Sequence, residues 1–478
     1  MPTGGGKSLC YQLPGQVLNG VVIVVSPLIS LMDDQTTKLR VLGIPSGAVH
    51  SGKSVAERAA VFNELKNSDR FVLYLSPERV QKEGFVEWVK RAQVSLFAID
   101  EAHCVSPSGP HFREDYYTLT CLRELRAEVP LLALTASATP NVLKDVVRQL
   151  GMKAPDRHIY GFYRPNLYYQ VEFCSDDHEK YALLQQALRQ TSKGRILIYC
   201  GTRKQTEELV SSLGEEFAGI DFYHAGMTTD QRANVQTRYN EGDIRILAAT
   251  NAFGMGVDHA DVRLVVHFQM PANIESYYQE IGRAGRDGLS STCILLYSKK
   301  DKGLHSYCIQ QSKADKATIG RRWDALDTIV EFAEGGECRH AGILTYFKDT
   351  FRLKACGHCD VCDEKSAAHI SRPTFEAVRA VTRSRKSSKK TKTKSLDDSQ
   401  PLTREEELRY EVVKEWRKNY ADENDIPAFL VFSNKTLRDL VRKNPKQLSA
   451  LGDVYGFGDQ KTEALGELVL AQLRQCDA

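Results

Sequence analysis

Short, continuous apolar runs recur along the amino-terminal part of the chain, and each ends at a polar residue or just before a proline. They are Val21–Val25, Phe71–Leu75, Val94–Ile99 and Leu131–Leu134. Apolar runs of this length without alternation are typical of strands buried on both faces of a parallel sheet. Helical stretches such as Val55–Leu65 lie between them. The pattern predicts an α/β domain whose functional residues lie at the carboxyl ends of the strands.

The same pattern resumes after a break near Tyr160. Gly194–Tyr199 and Ile244–Ala249 are further apolar runs that predict strands. The last part of the chain, Leu402–Arg474, has a helical pattern instead. We therefore expect two α/β units followed by a smaller all-α domain.

The length, charge and cysteine content of the chain exclude several classes of protein. The chain has 478 residues, enough for about three domains of roughly 150 residues each. Its net charge is +3, so any surface that binds nucleic acid must be local. Apolar runs of about 18 residues are absent, which argues against a membrane span. Four of the 12 cysteines cluster with metal-ligand spacing and the rest are scattered, which favours a reducing compartment over a disulfide framework.

The chain opens on a stretch with the pattern of a phosphate-binding loop. Its residues are Thr3, Gly4, Gly5, Gly6, Lys7 and Ser8. The glycines allow backbone N–H groups to point at phosphate oxygens, Lys7 can reach the β- and γ-phosphates, and the Ser8 hydroxyl can hold Mg²⁺. A helix that begins near Ser8 would direct its positive end at the same anion. The strict pattern has a further glycine where this chain has Met1, and an ordinary flexible turn is the alternative.

Acidic residues follow the third apolar run. Asp100, leaving that strand, is placed to hold Mg²⁺, and Glu101 beside it can orient and deprotonate an attacking water. His103 has no metal-ligating partner nearby in the sequence, and the alternatives for it are a structural role and a coupling role. A phosphate-binding loop and paired carboxylates at strand ends together predict hydrolysis of a nucleoside triphosphate.

These motifs carry a resemblance to a known family. The run Asp100–Cys104, the segment Leu134–Thr139 and the segment Phe162–Leu167 resemble superfamily 2 helicases of the RecQ family. The resemblance implies two RecA-like domains at 1–158 and 159–300, a helical zinc-binding subdomain at 301–365, a basic disordered linker at 366–401 and a helical domain at 402–478. The last resembles the helicase-and-RNase-D C-terminal (HRDC) module. No winged helix is expected between the zinc-binding subdomain and this domain.

The resemblance also assigns roles across the domain cleft. Arg283 and Arg286 lie three residues apart, on one face of a helix. The family likeness places them opposite the γ-phosphate, with Arg286 as the arginine finger, Arg283 as its partner and Gln279 in the same catalytic group. Surface ion pairs are the alternative for the two arginines.

Further residues are expected to link DNA to the nucleotide. In the family, the segment that corresponds to Thr250–Asp258 touches both, so Thr250 is a candidate for coupling and Asp258 for nucleotide binding. A glycine-rich turn is the alternative there. His103, Phe112 and Arg113 are the other candidates for DNA contact and coupling.

Four cysteines have the spacing of a metal site. They are Cys338, Cys356, Cys359 and Cys362. Four thiolates complete a tetrahedral zinc site and leave no position for a reacting water, so the predicted role is structural. His340 and His358 are alternatives for one of the cysteines, while the family resemblance favours the four cysteines.

The predicted linker and the helical domain leave two alternatives open. Lysines and arginines alternate with serines and threonines across 379–394, a composition typical of disordered segments. The two alternatives for this segment are that it binds the phosphates of DNA or that it is only a spacer. In the HRDC-like domain, Lys435, Arg438 and Arg442 form a basic stripe at helical spacing. A solvated face is an equal alternative, because acidic residues outnumber basic ones in this domain.

The resemblance implies an ATP-dependent DNA helicase that moves 3′ to 5′ with ATP, Mg²⁺ and Zn²⁺ as cofactors. Its expected partners are single-stranded and partly duplex DNA, with a single-stranded-DNA-binding protein as a further candidate. Its expected setting is recombination and repair, in the bacterial nucleoid or a eukaryotic nucleus. An RNA helicase with the same core and a DNA-binding protein without effective hydrolysis are the alternatives.

The chain departs from the family in two places. Ser108 stands where the family carries a tryptophan, so we expect weaker stimulation of hydrolysis by DNA. The chain also begins inside the phosphate-binding loop, without the strand that feeds it. We expect from this that the sequence is a truncated product, with poor hydrolysis and a tendency to aggregate.

Overall fold

The computed structural model describes residues 5–106, 113–159, 161–251, 253, 259–312, 314–372, 402–424, 428–432 and 434–476. Within these ranges no helix is long and apolar enough to cross a membrane.

The first domain is a parallel sheet of five strands flanked by helices. Its strands are β1 (Gly20–Val25), β2 (Ser46–Val49), β3 (Arg70–Leu75), β4 (Val94–Ile99) and β5 (Leu131–Ala133), in the spatial order β2-β3-β1-β4-β5. Its helices are α1 (Leu9–Gln12), α2 (Pro14–Val17), α3 (Ile29–Val41), α4 (Val55–Lys66), α5 (Glu83–Arg91), α6 (Glu114–Tyr117), α7 (Cys121–Leu125) and α8 (Pro140–Gln149). Three short 3₁₀ turns lie at Pro77–Arg79, Ala102–Val105 and Thr118–Thr120.

The second domain is a parallel sheet of six strands. Its strands are β6 (Leu167–Phe173), β7 (Arg195–Tyr199), β8 (Ile220–Tyr223), β9 (Ile246–Ala249), β10 (Val262–His267) and β11 (Ser291–Tyr297), in the order β6-β11-β10-β7-β9-β8. Its helices are α9 (Asp177–Gln190), α10 (Arg203–Leu213), α11 (Thr229–Glu241) and α12 (Ile274–Ile281).

Two helical units complete the described part of the chain. The first contains α13 (Lys299–Gln310), α14 (Lys316–Glu334) and α15 (Arg339–Tyr346). The second contains α16 (Arg404–Glu423), α17 (Ala428–Val431), α18 (Asn434–Lys443), α19 (Leu448–Leu451) and α20 (Asp459–Cys476). Thr403 and Glu406 form a capping box at the start of α16, which satisfies backbone donors there and fixes where this unit begins.

The first helical unit packs on the second domain and shares its core. Leu326 and Ile329 of α14 lie in the same buried cluster as residues of β6, β10 and β11. The fully buried Lys180 of α9 also pairs with Asp301 of α13, with 2.7 Å between Nζ and Oδ2. A buried pair of this kind is costly to break, so it fixes the register between α13 and the second sheet.

The predicted α/β architecture is confirmed, and most predicted strands agree with the observed ones to within two residues. Five strands were not predicted: β2, β6, β8, β10 and β11. Residues 366–372, which the sequence assigns to the linker, lie against β6 and α9: Gln170 bonds both backbone groups of Ile370, and Arg372 pairs with Glu172 and Glu179. The remainder of the predicted linker, 373–401, lies outside the described residues.

Candidate active site

The phosphate-binding loop precedes the first sheet at the start of α1. Gly6 has φ +81°, a conformation that favours glycine, and Ser8 is the N-cap of α1. The described part of the loop, Gly5 to Ser8, therefore leads into a helix start, as predicted. Thr3 and Gly4 lie outside the described residues.

The paired carboxylates lie at the carboxyl edge of this sheet. Asp100 follows β4 directly, is 5% exposed, and its backbone N–H donates to the carbonyl of Val25 at the end of β1. Glu101 has φ 48° and ψ 45°, a left-handed backbone that is uncommon outside glycine. Such conformations cost about 1–3 kcal/mol and gather at functional sites. At this turn Glu101 Oε2 lies 3.2 Å from His103 Nδ1, whereas Asp100 Oδ1 accepts a hydrogen bond from the backbone N–H of Glu101 at 2.9 Å.

The environment of Asp100 suits a bound cation. Burial, followed by the negative charge of Glu101, raises the pKa of Asp100 to about 7, and the ammonium of Lys7 opposes this rise. A positive ion placed here would relieve the same repulsion. Lys7 and Asp100 are therefore close enough to interact, which brings the loop and the acidic motif into one site.

His103 links this site to the second domain. Its Nδ1 lies 2.9 Å from Thr135 Oγ1 and 3.2 Å from Glu101 Oε2, while its Nε2 lies 3.5 Å from the amide nitrogen of Gln279 on α12. Burial disfavours the charged ring, but hydrogen bonds to Cys104 and Glu101 outweigh it and raise the pKa of His103 to about 10. The Gln279 amide also donates to Ser137 Oγ across 2.5 Å. His103, Thr135, Ser137 and Gln279 thus form a polar network between the two sheets.

The prediction that Arg283 and Arg286 share one helical face is wrong, because α12 ends at Ile281 and both arginines lie in the turn after it, beside the carboxyl end of β7. Arg283 is 9% exposed and interacts with Tyr199, the last residue of that strand, together with Arg286. Arg286 also donates from Nε to the carbonyl of Gly282 at 3.4 Å. These contacts lie within the second domain, and the role of the two arginines at the γ-phosphate stays a prediction.

The remaining candidates are placed only in part. Arg113 donates to the carbonyl of Pro27 at 3.2 Å, next to the carboxyl end of β1. Thr250 follows β9 and is 9% exposed. Phe112, Asp258 and the unusual Ser108 lie outside the described residues.

Sequence reasoning missed several residues of the site. Thr135 and Ser137 belong to a segment that was used only to detect the family, although their hydroxyls bond His103 and Gln279. Tyr116 donates to the carbonyl of Asp100 at 2.9 Å and so fixes the backbone of the acidic motif. Their signal was weak, because residues with hydroxyl groups are common and the partners of these three lie 16 to 142 positions away in the sequence.

The four predicted metal-ligand cysteines meet in space. The thiols of Cys338, Cys356, Cys359 and Cys362 all lie within 4.8 Å of one another. Cys338 is the N-cap of α15, and hydrogen bonds from the thiols of Cys356 and Cys359 lower its pKa to about 4. A thiolate at this position is the form that binds a soft metal ion.

The two histidines of this region form an overlapping group with Cys356. His340 Nε2 is bonded to the carbonyl of Leu167 at 3.0 Å, and its ring stacks on Tyr169 with 4.1 Å between centroids. His358 Nδ1 is bonded to the carbonyl of Cys356 at 2.7 Å. Each histidine thus has a structural partner, and the four thiols form a complete set without them.

Four family models match successive parts of the chain. The model described as DEAD/DEAH box helicase matches residues 1–146, and that described as helicase conserved C-terminal domain matches 179–288. The RecQ zinc-binding model matches 299–363, the range that holds the four cysteines, and the HRDC domain model matches 406–473. The metal that the cysteine cluster suits is therefore zinc.

Curated relatives carry the same assignment. The chain is 38% identical to the ATP-dependent DNA helicase RecQ of Pasteurella multocida over 76% of the chain and 56% of the relative. It is 31% identical to the ATP-dependent DNA helicase RecQ of Bacillus subtilis over 99% of the chain and 92% of the relative. A probable ATP-dependent DNA helicase of B. subtilis, RecS, is 40% identical over 73% of the chain and 69% of the relative. The chain thus spans little more than half of the first relative and most of the other two.

Solved structures agree on the fold. The DEAD-box helicase Mss116 bound to ssRNA and UDP-BeF has a TM-score of 0.52 at 16% identity, over 99% of this chain and 87% of that one. The DUF1998 helicase MrfA bound to DNA and AMPPNP has a TM-score of 0.52 at 20% identity, over 70% of this chain and 51% of that one. With the zinc-binding and HRDC matches and a RecQ relative aligned over nearly its whole length, the chain belongs to the RecQ family of DNA helicases.

Proposed function

We propose that this chain hydrolyses ATP between its two RecA-like domains and uses the cycle to move 3′ to 5′ along single-stranded DNA and to separate a duplex. The observation that carries the proposal is the polar network in which Gln279 of the second domain reaches Ser137 and His103 of the first. Because Gln279 contacts the first domain beside the acidic motif, the relative position of the two domains can depend on whether ATP or its hydrolysis products are bound.

The residues of the first domain divide the work on the nucleotide. The backbone of Thr3 to Gly6 and the ammonium of Lys7 hold the phosphates, and Mg²⁺, which supplies charge neutralisation when bound, is held by Ser8 and Asp100. The buried, charge-crowded carboxylate of Asp100 fits that ion. Glu101 orients the attacking water and accepts its proton.

The second domain completes the site when the cleft closes. Arg286 turns from its own domain toward the γ-phosphate, with Arg283 supporting it and Asp258 contacting the nucleotide. His103 contacts both Glu101 and Gln279, so a change in the position or charge of Glu101 during hydrolysis is transmitted to the second domain. Phe112, Arg113 and Thr250 contact the DNA. Two domains that close and open on a strand in this way shift along it by one step in each cycle.

The cellular setting follows from the family. We propose that the protein acts on DNA in recombination and repair, in the bacterial nucleoid or a eukaryotic nucleus, with a single-stranded-DNA-binding protein as a partner.

The test is phosphate release by the purified chain, with and without single-stranded DNA, and strand displacement on duplexes with either a 3′ or a 5′ tail. We expect DNA to stimulate hydrolysis and only the 3′-tailed duplex to be opened, with Lys7→Ala inactive in both assays. DNA binding without phosphate release would make the chain a binding protein, and stronger stimulation by RNA of the same sequence would make it an RNA helicase.

A further inference from the structure

Three glutamates line the side of the zinc-binding subdomain that faces the HRDC domain. Glu331 and Glu334 lie three residues apart on α14, and Glu337 follows just beyond its end. Each meets a different side chain of the HRDC domain. Lys461 pairs with Glu331, Tyr455 with Glu334 and Arg417 with Glu337.

The central contact is buried and involves three parts of the molecule. The carboxylate of Glu334 accepts a hydrogen bond from Tyr455 Oη at 2.9 Å and a second one from Tyr297 Oη at 2.9 Å. Tyr297 is the last residue of β11, and Glu334 is 6% exposed. The ammonium of Lys299 lies 5.6 Å from the centroid of the Tyr455 ring. A carboxylate this deeply buried is costly unless its oxygens accept hydrogen bonds. The Tyr455 hydroxyl therefore supplies a hydrogen bond that Tyr297 alone does not provide to Glu334.

The flanking contacts are equally specific. Arg417 is 3% exposed, and its guanidinium donates to the carbonyl of Phe432 at 2.7 Å, to Asn434 Oδ1 at 2.8 Å and to Glu337 Oε1 at 3.2 Å. Gly336, with φ +64°, lies so close to Asn434 that a Cβ there would be 2.6 Å from its Nδ2. The backbone before the zinc ligand Cys338 is therefore fitted closely to the HRDC surface.

We propose that the HRDC domain is docked in cis on this surface, and that it moves with the second RecA-like domain as one body rather than as a free module on a tether. The segment 373–401 could span up to about 100 Å if extended, so tethering alone does not hold the domain here. It does give the two surfaces a high effective concentration, which allows a polar interface of modest size to stay closed.

Docking has a consequence for the geometry of DNA binding. Because the second sheet is parallel, Tyr297 at the end of β11 lies at the same carboxyl edge as Thr250, which follows β9. The HRDC domain is thus held at the edge of the second sheet that carries Thr250, the candidate for coupling DNA to the nucleotide in this domain. This inference goes beyond the proposed helicase activity and does not depend on it.

The test is hydrogen exchange measured by mass spectrometry on the full zinc-loaded chain. Lys461→Glu places a like charge beside Glu331, and we expect the amides of 331–337 and 455–461 to exchange about 5–30-fold faster. The charge-swapped pair Glu331→Lys with Lys461→Glu restores slow exchange in both segments. Lys418→Glu, an equal change at an exposed position of the same domain, leaves both segments unchanged.

A second, smaller substitution keeps the test informative if Lys461→Glu does not fold. Tyr455→Phe removes only the hydroxyl that bonds Glu334, and we expect a smaller acceleration in 331–337 while the buried end of α20 stays protected. Unchanged exchange in Lys461→Glu and Tyr455→Phe, or failure of the charge swap to restore protection, overturns the docking. None of these readouts requires hydrolysis, so the docking and the helicase proposal succeed or fail separately.

Discussion

The side-chain amide of Gln279 donates to the hydroxyl of Ser137 across 2.5 Å, and this hydrogen bond joins the two RecA-like domains directly beside the acidic motif. Ser137 is 4% exposed, so the contact is shielded from water. The amide nitrogen of Gln279 lies 3.5 Å from His103 Nε2, and His103 Nδ1 lies 3.2 Å from Glu101 Oε2, so His103 is the one residue between Gln279 and Glu101 in the network. A change in the cleft must therefore alter this contact.

Removing that bond is expected to weaken coupling more than catalysis itself. A neutral hydrogen bond contributes ~0.5–1.5 kcal/mol, so Gln279→Ala should lower DNA-stimulated hydrolysis by about twofold to thirteenfold. Ser137→Ala should have a similar effect, and the double variant should be no worse than either single one, because both changes remove the same bond. Steady-state phosphate release at saturating DNA measures this.

A matched control separates this bond from general loss of a glutamine. Gln185→Ala removes a half-buried glutamine of the same domain, far from the cleft network, whose amide donates to Glu216. It should leave hydrolysis unchanged. Additive losses in the Gln279 and Ser137 variants would contradict a shared interaction.

Much of the fold could be predicted because its physical signal is local. β1, β3 and β4 are continuous apolar runs, and the metal cysteines are recognisable from spacing alone. The edge strand β2 has the sequence Ser46-Gly47-Ala48-Val49, which lacks such a run, and its strand character comes from pairing with β3. Edge strands with small side chains are set by neighbours rather than by propensity.

The parts of the site that escaped prediction depend on distant contacts. Nothing near Ser137 in the sequence indicates that Gln279 will reach it. No sequence pattern predicted a role for the glutamates 331, 334 and 337, which meet a lysine, a tyrosine and an arginine from another domain. The left-handed backbone of Glu101 is likewise a product of the surrounding turn, because glutamate has no preference for it.

Glu101→Gln is expected to abolish most hydrolysis while leaving the fold intact. The amide keeps the size of the side chain but cannot accept a proton, and a general base contributes typically about 10²–10⁴-fold. Single-turnover phosphate release should fall by a factor in that range, whereas the affinity for ATP should change little. Lys7→Ala should also abolish hydrolysis, because it removes the cation that holds the phosphates.

Glu83→Gln serves as the control for charge loss. Glu83 is an exposed residue in the first turn of α5 and lies in the same domain. Its variant should hydrolyse ATP normally. Near-normal turnover in Glu101→Gln would remove the acidic motif from the active site.

The zinc site is expected to be structural and to hold one ion per chain. Cys359→Ser replaces a fully buried ligand, so the variant should lose the metal and unfold at a lower temperature. Cys308→Ser changes an exposed cysteine outside the cluster and should keep both zinc and stability. Metal analysis by mass spectrometry and thermal unfolding measure the two effects. Well-folded protein without zinc would contradict the assignment.

The basic segment between the zinc-binding subdomain and the HRDC domain is expected to give duplex binding its salt dependence. Lys386, Lys389, Lys390, Lys392 and Lys394 lie in a part of the chain outside the described residues, so their role is argued from charge alone. Each lysine that contacts a phosphate of B-DNA contributes about 0.9 to the slope of log affinity against log salt. Changing all five to glutamine should therefore flatten the slope, by up to about 4.5 if every one is in contact. Changing all five to arginine keeps the charge and should keep the slope, which makes it the matched control. An unchanged slope in the glutamine variant would mean that the segment only connects its neighbours.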